Sequence, residues 1–502
     1  MKLFRKKTTF KWGFILDDLV NTEFLHQLII YQKSYFEIIH NFFVKFVGKN
    51  PDEFNDFESL GLHLKEMYEN NKNNISYFSH LIQIREDFLE KLVNLYTSES
   101  AQAFKAAQNL DVFKINLGGS SRFLKTQLNA VRKSLLLTDL VLIPDPILPW
   151  IEKERGDEKL KNLRMIEAVY FVLNLKDLLE EDFEIPPFFI FPSWEKLLED
   201  KDDVTKENLN HLLYEFLSFY LNVKINCEED LVNYLSKYSN DFFSAVQEKR
   251  LFISPNGMEI HNLKDSITNY RDYASQHRTT DWCEKNLASD IHVIVNGIVE
   301  RLVPQYHLFE NSQEMSSNPY LCIPEHAHYY NLISKMSWSF KADKLIDKQT
   351  DTILNVLTSQ RLDYLANFND EEIKILRKAD EHILFKNEMR TFISSISNVK
   401  IQDTGYVSRE FSQFLDVKIK QHIKELDGLK SKYRSKNIQT LGLAGGTLAV
   451  NFMPLLGQLL SVIGAGSVGI KYLGDKLDEK HDFQKAKSSY VGVIALAKQR
   501  GQ

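Results

Sequence analysis

Across residues 14–47 the apolar side chains Leu16, Leu19, Phe24, Leu28, Tyr31, Tyr35, Ile39, Phe42 and Phe46 recur mostly at steps of three and four. Positions so spaced share one helix face, so the pattern predicts a long amphipathic helix. The same periodicity predicts helices over residues 74–96, 161–179, 206–221 and 228–246. Between them lie short apolar runs that end on proline: Val141-Leu142-Ile143-Pro144, Phe189-Ile190-Phe191-Pro192, Phe252-Ile253-Ser254-Pro255 and Leu321-Cys322-Ile323-Pro324. A residue before proline is pushed toward extended backbone, so these runs predict short strands of one small sheet or buried extended connectors. Their irregular spacing excludes a repeat array.

From residue 341 onward the chain holds a single proline, Pro454, and reads as long helices. Asn369-Asp370-Glu371-Glu372 is a helix start, with a capping amide and acids in the first turn. Val407, Phe411, Leu415, Ile419, Ile423, Leu426 and Tyr433 lie on one stripe, and residues 475–498 form a last amphipathic segment. The expected fold is therefore mainly α: a multi-helical protein with a few short strands in its N-terminal region and a C-terminal helical domain. The expected divisions are 1–110, 111–338 and 339–502.

Residues 437–470 contain no charged side chain, and Lys436 and Lys471 bracket them. Residues 438–450 and 455–470 make two apolar arms around Asn451-Phe452-Met453-Pro454, where proline predicts a turn or kink. Gly442 and Gly446 form a GxxxG pair; Gly457, Ser461, Ala465 and Gly469 recur every four residues on one helix face. Small residues at that spacing let two backbones pack closely. At about 1.5 Å rise per residue, arms of 13 and 16 residues fall short of a hydrocarbon core about 30 Å thick. Three readings follow: a hairpin buried in protein, a re-entrant hairpin that inserts conditionally, and one kinked span. In layout alone the hairpin is similar to that of pore-forming bacteriocin domains.

Charge sharpens this picture. Lys430, Lys432, Arg434 and Lys436 flank the run, and such a cluster is drawn to anionic lipid or caps the end of a solvated helix. Residues 401–502 carry 15 Lys and Arg against 9 Asp and Glu, whereas the whole chain is −6. The acidic remainder argues against nucleic acid as a partner. Composition is that of a globular protein, at 43% apolar and 26% charged residues. Cys227, Cys283 and Cys322 are too widely spaced for a disulfide framework, and the basic start lacks the apolar core of a secretory signal. These features predict a cytoplasmic protein.

Specific catalytic signatures are absent. Asn116-Leu117-Gly118-Gly119-Ser120-Ser121-Arg122 follows a predicted strand at 112–115 and opens a predicted helix, where free amides with Gly118, Gly119, Ser120 and Arg122 can hold a phosphate. The spacing matches neither phosphate-loop nor dinucleotide fingerprints, and a glycine turn with a serine cap accounts for the same letters. Cys322, Glu325, His326 and His328 form the densest set of metal-capable groups. They are also explained as a polar loop after Pro324. Asp145, with Glu152 and Glu154 nearby, is a short carboxylate set of the kind chance supplies. No cofactor is predicted and an enzyme is the least favoured class. Two classes remain. One is a membrane-associated or membrane-active protein, in a bacterial toxin or phage-defence setting, in which 437–470 inserts and the N-terminal region senses or restrains. The other is a soluble helical interaction protein in which that segment is core or a self-association interface.

Overall fold

The computed structural model describes residues 10–118, 124–150, 158–179, 183, 185–192, 203–255, 257–322, 324–339, 368, 370–378, 413 and 417. Helices dominate, and a small parallel sheet lies among them. The chain opens with α1 (Phe10–Val47), α2 (Phe57–Asn70) and α3 (Ile75–Asn109). The expected stripe of α1 is buried at Leu28, Tyr31, Tyr35, Ile39, Phe42 and Phe46, and Phe36 and Phe43 join it. Phe42 stacks on Phe88 of α3 with ring centres 4.0 Å apart. The starts of α2 and α3 are capped: Asp56 Oδ1 accepts from the Ser59 amide at 2.8 Å, and Asn74 Oδ1 from the Tyr77 amide at 3.1 Å.

The sheet begins at β1 (Lys114–Gly118) and continues through α4 (Leu124–Leu135), β2 (Leu140–Pro144), α5 (Glu158–Leu173) and β3 (Phe188–Phe191). Next come α6 (Asp203–Leu221), α7 (Glu228–Lys237), α8 (Ser239–Lys249), α9 (Leu263–His277), α10 (Thr280–Asn286) and α11 (Asp290–Glu314). Then β4 (Asn318–Leu321) returns to the sheet, followed by α12 (Pro324–Ser339). All pairings are parallel, in the order β3-β2-β1-β4. Two of the four proline-terminated runs thus supply strands, β2 and β3; of Leu321-Cys322-Ile323-Pro324 only Leu321 belongs to β4, which lies just before the run, and Pro324 begins α12. Leu140 to Ile143 and Phe188 to Phe191 are buried throughout, as parallel strands covered on both faces must be. Pro319 is tolerated inside β4 because β4 is an edge strand.

The fourth run, at Phe252-Ile253-Ser254-Pro255, is a buried connector and not a strand. The Tyr329 hydroxyl donates to the Leu251 carbonyl at 2.8 Å and accepts from the Ile253 amide at 3.3 Å. One side chain of α12 thus stands where a neighbouring strand would. The helix expected over 228–246 is also divided. Tyr238, at φ −127° and ψ 37°, separates α7 from α8, yet Leu231, Leu235, Phe242 and Val246 remain on one buried stripe.

At the other edge, β3 is closed by α1. The Gln32 side-chain amide donates to the Ile190 carbonyl at 3.1 Å and accepts from the Ile190 amide at 3.2 Å, as a further strand would. Tyr31 meets Phe189 edge-on, and Phe36 lies against Phe188. Replacing Gln32 with leucine leaves both Ile190 backbone groups buried and unpaired, so it should cost about 1–3 kcal/mol, read as a lower denaturant midpoint. A midpoint within error of the parent would show that this pairing is not holding the edge.

Residues Met1–Val131 and Thr138–Leu354 form one compact unit, and Arg132–Leu137 with Asn355–Gln502 form a second. Within the first unit the sheet draws its edge cover from α1. Helices α6 to α9, α11 and α12 bury a second apolar cluster around Phe216, Phe242, Ile294 and Ile333 within that unit. In the second unit, α13 (Asp370–Lys378) starts where the sequence predicts a helix. Arg132 pairs with Asp370 at 2.7 Å and donates to the Phe368 carbonyl at 3.3 Å.

Candidate functional site at the carboxyl end of the sheet

The chain steps from β1 to β2 to β3 in one direction, then returns past β1 to place β4 on its other side. In open parallel sheets the reversal point opens a crevice beyond the carboxyl ends of the strands, and ligands bind there. Here that point lies between β1 and β4, where Gly118 is in register with Leu321. The Cys322 thiol donates to the Gly118 carbonyl at 3.0 Å, closing the two strand ends together, and burial pushes the thiol pKa up to about 12.

Helix α11 rises past this end of the sheet. It turns into β4 through residues 315–317, with Ser316 in the left-handed region at φ 49° and the Ser317 amide donating back to the Ser312 carbonyl at 2.8 Å. So short a turn makes α11 antiparallel to β4, and hence to β1. A Cβ on Gly118 would sit 2.5 Å from Leu308 Cδ2, so glycine is what lets α11 lie against the last residue of β1. Helix residues before Leu308 therefore extend beyond the strand ends, Arg301 by about 10 Å at the helical rise.

Three polar side chains are buried there. Arg301 is 7% exposed, and Gln305, one turn on, is 0% exposed. His326, in the first turn of α12, is 1% exposed. Among the described residues neither the Gln305 amide nor either His326 nitrogen has a hydrogen-bond partner. Burial first, and then the Arg301 charge, push the His326 pKa down to about 3, so the ring is neutral. Tyr330, one turn past His326, packs with Leu308 and Leu321, which ties α11, α12 and β4 at this point. Asn116, on the same face of β1 as Gly118, is also buried with its amide unpartnered.

The expected metal set does not assemble. Pro324 begins a helix and not a polar loop, so His326 and His328, two residues apart, point to different sides. His328 Nε2 donates to the Arg250 carbonyl at 2.9 Å, and Cys322 is engaged with Gly118. Among the described residues no group of three metal-capable side chains comes together. Of the expected phosphate set, Gly118 ends β1 as a strand residue; Gly119, Ser120 and Arg122 lie outside the described residues. Arg301 and Gln305 escape a motif search. Their signal is compositional: a cation and an amide on the apolar stripe Ile294, Ile298, Leu302 and Leu308.

A second buried polar group sits at the carboxyl end of β2. Asp145 is 3% exposed; the Tyr96 hydroxyl donates to its Oδ2 and the Ile147 amide to its Oδ1, the latter at 2.8 Å. Glu152 and Glu154 lie outside the described residues. By contrast, an open groove of about 290 Å³ between α1, α2 and α3 is mostly apolar, and its His63 is engaged by the Val47 carbonyl.

Segment 437–470 and its flank from Lys430 to Lys436 lie outside the described residues. Among the described residues no helix is long and apolar enough to cross a membrane. The chain matches no known family, no curated protein and no solved structure.

Proposed function

We propose that this protein is a ligand-responsive effector. Its N-terminal unit takes a small molecule at the carboxyl end of β1 and β4, and its C-terminal segment 437–470 engages an anionic membrane. The observation that carries the sensing half is the order β3-β2-β1-β4, with its reversal point beside the buried Arg301, Gln305 and His326. The effector half rests on the charge-free, glycine-rich run and its basic flank. Among the described residues the groups at this crevice are a cation and neutral hydrogen-bonding side chains, so binding is the function assigned. A cytoplasmic, membrane-peripheral protein that partners with anionic lipid or with itself fits this reading.

The test compares full-length protein with a chain ending at Lys436, each mixed with vesicles of phosphatidylglycerol and phosphatidylethanolamine loaded with dye. Full-length protein should sediment with the vesicles and release dye, and the shortened chain should stay in the supernatant. Equal behaviour of the two chains, or sealed vesicles with both, would remove membrane action. A shortened chain that loses its fold would assign the segment to protein core instead.

A further inference from the structure

We propose that the ligand at the carboxyl end of β1 and β4 carries a phosphoryl group, held by Arg301 with Gln305 and His326 as neutral donors. The inference rests on the ligand-binding half of the function above and names the chemistry of that site. Arg301 is always charged at physiological pH and is nine-tenths buried. Among the described residues it has neither an ion pair nor a hydrogen bond. The acid beside it in sequence, Glu300, is held by Arg278 at 2.5 Å. Glu325, buried in the first turn of α12, is not within ion-pair distance of it either. The side chain is held in place by burial while its guanidinium has no carboxylate on it among the described residues, so it is free to receive an anion from outside the chain.

The neighbouring groups fit an oxyanion. The Gln305 amide lies one turn from Arg301 on the same helix face and offers two N–H donors. His326 is uncharged, so it gives one N–H without adding repulsion toward Arg301. It belongs to the first turn of α12, where the helix dipole favours negative charge and amides lack intrahelical acceptors. Buried donors left unsatisfied in this way mark a missing water, ion or ligand. The planar guanidinium fork binds phosphate oxygens in pairs, which distinguishes this demand from that of a lone halide.

The probe is pyrophosphate, compared with sodium chloride at matched ionic strength and with adenosine as an uncharged control, read by thermal unfolding of the full chain. Pyrophosphate at about a hundred times its dissociation constant should raise the melting temperature by about 3–6 °C. Arg301→Met should abolish that response and, by removing a buried charge, raise the melting temperature of the ligand-free protein by about 1–3 °C. Should Arg301→Met fail to fold, Arg301→Lys keeps the charge and loses the fork, and should weaken pyrophosphate about tenfold or more. An unchanged wild type in pyrophosphate, or equal responses in wild type and variant, overturns the proposal. A shift with adenosine and none with pyrophosphate overturns the phosphoryl group and leaves the ligand-binding reading standing. Vesicle binding by the full chain is scored separately and bears on neither result.

Discussion

Replacing Gly118 with valine should destabilise the N-terminal unit by about 2–3 kcal/mol, even though valine is the better strand former. The reason is the approach of α11. An added Cβ would lie 2.5, 3.1 and 3.2 Å from Leu308 Cδ2, Cδ1 and Cγ, so rotating the end of the leucine cannot clear it. Leu308 is itself pinned between Leu321 and Tyr330. The helix must back away from the sheet, and Arg301 and Gln305 travel with it. A lower denaturant midpoint should therefore come with a lost response to pyrophosphate. The mechanism is separable from a general loss of core by a size exchange. Leu308→Ala alone should cost about 2–5 kcal/mol through its cavity. Combined with Gly118→Val, the cost should fall below the sum of the two by at least about 1 kcal/mol, since each change relieves the other. Strict additivity would mean that the contact between residue 118 and Leu308 does not set the position of α11.

Much of this arrangement is written locally in the chain. The stripe Leu28, Tyr31, Tyr35 and Ile39 marks the buried face of α1, and the runs before Pro144 and Pro192 mark strands, because periodicity and proline act on nearest neighbours. What escapes is whatever depends on distant partners. The strand expected at 112–115 is observed at Lys114–Gly118, since Asn116, Leu117 and Gly118 pair with β4, some two hundred residues away. The division at Tyr238 is invisible because the apolar stripe runs through it unbroken. The run from Phe252 to Pro255 looks like a strand until Tyr329 bonds the Leu251 carbonyl and the Ile253 amide from another helix. The candidate site follows the same rule. Gly118 and Cys322 stand out in the sequence, but only the parallel order brings them together, and only the packing of α11 and α12 sets Arg301 beside Gln305 and His326. The reading of 437–470 rests on sequence alone, as that segment lies outside the described residues.

A pH series comparing wild type with Asp145→Asn should show the variant gaining stability relative to the parent as pH rises, by on the order of 4 kcal/mol across the range from about 4 to about 7. Burial lifts the Asp145 carboxyl to about 7 from an ordinary value near 3.8, against the opposing hydrogen bond from the Ile147 amide and the pull of the neighbouring Tyr35 hydroxyl. Between those two values the folded protein keeps a proton that the unfolded chain has released. Stability from this group is thus fully present below the unfolded value, is lost as pH rises toward about 7, and is flat above it. About 2–3 kcal/mol of the change falls between pH 5 and 8, an accessible window. The wild-type curve alone would mislead, because His326 works in the opposite sense. Its folded pKa is pushed down to about 3, so its contribution grows as pH rises from there to its ordinary value of 6.5. The two slopes largely cancel in the parent, and removing only the carboxyl exposes the difference. A variant that tracks the wild type at every pH would mean that Asp145 is ionised in the fold. The Tyr96 hydroxyl and the Ile147 amide would then have to sustain a buried carboxylate that no cation among the described residues pairs with, in a pocket where the Tyr31 hydroxyl is also buried without a hydrogen-bond partner among those residues.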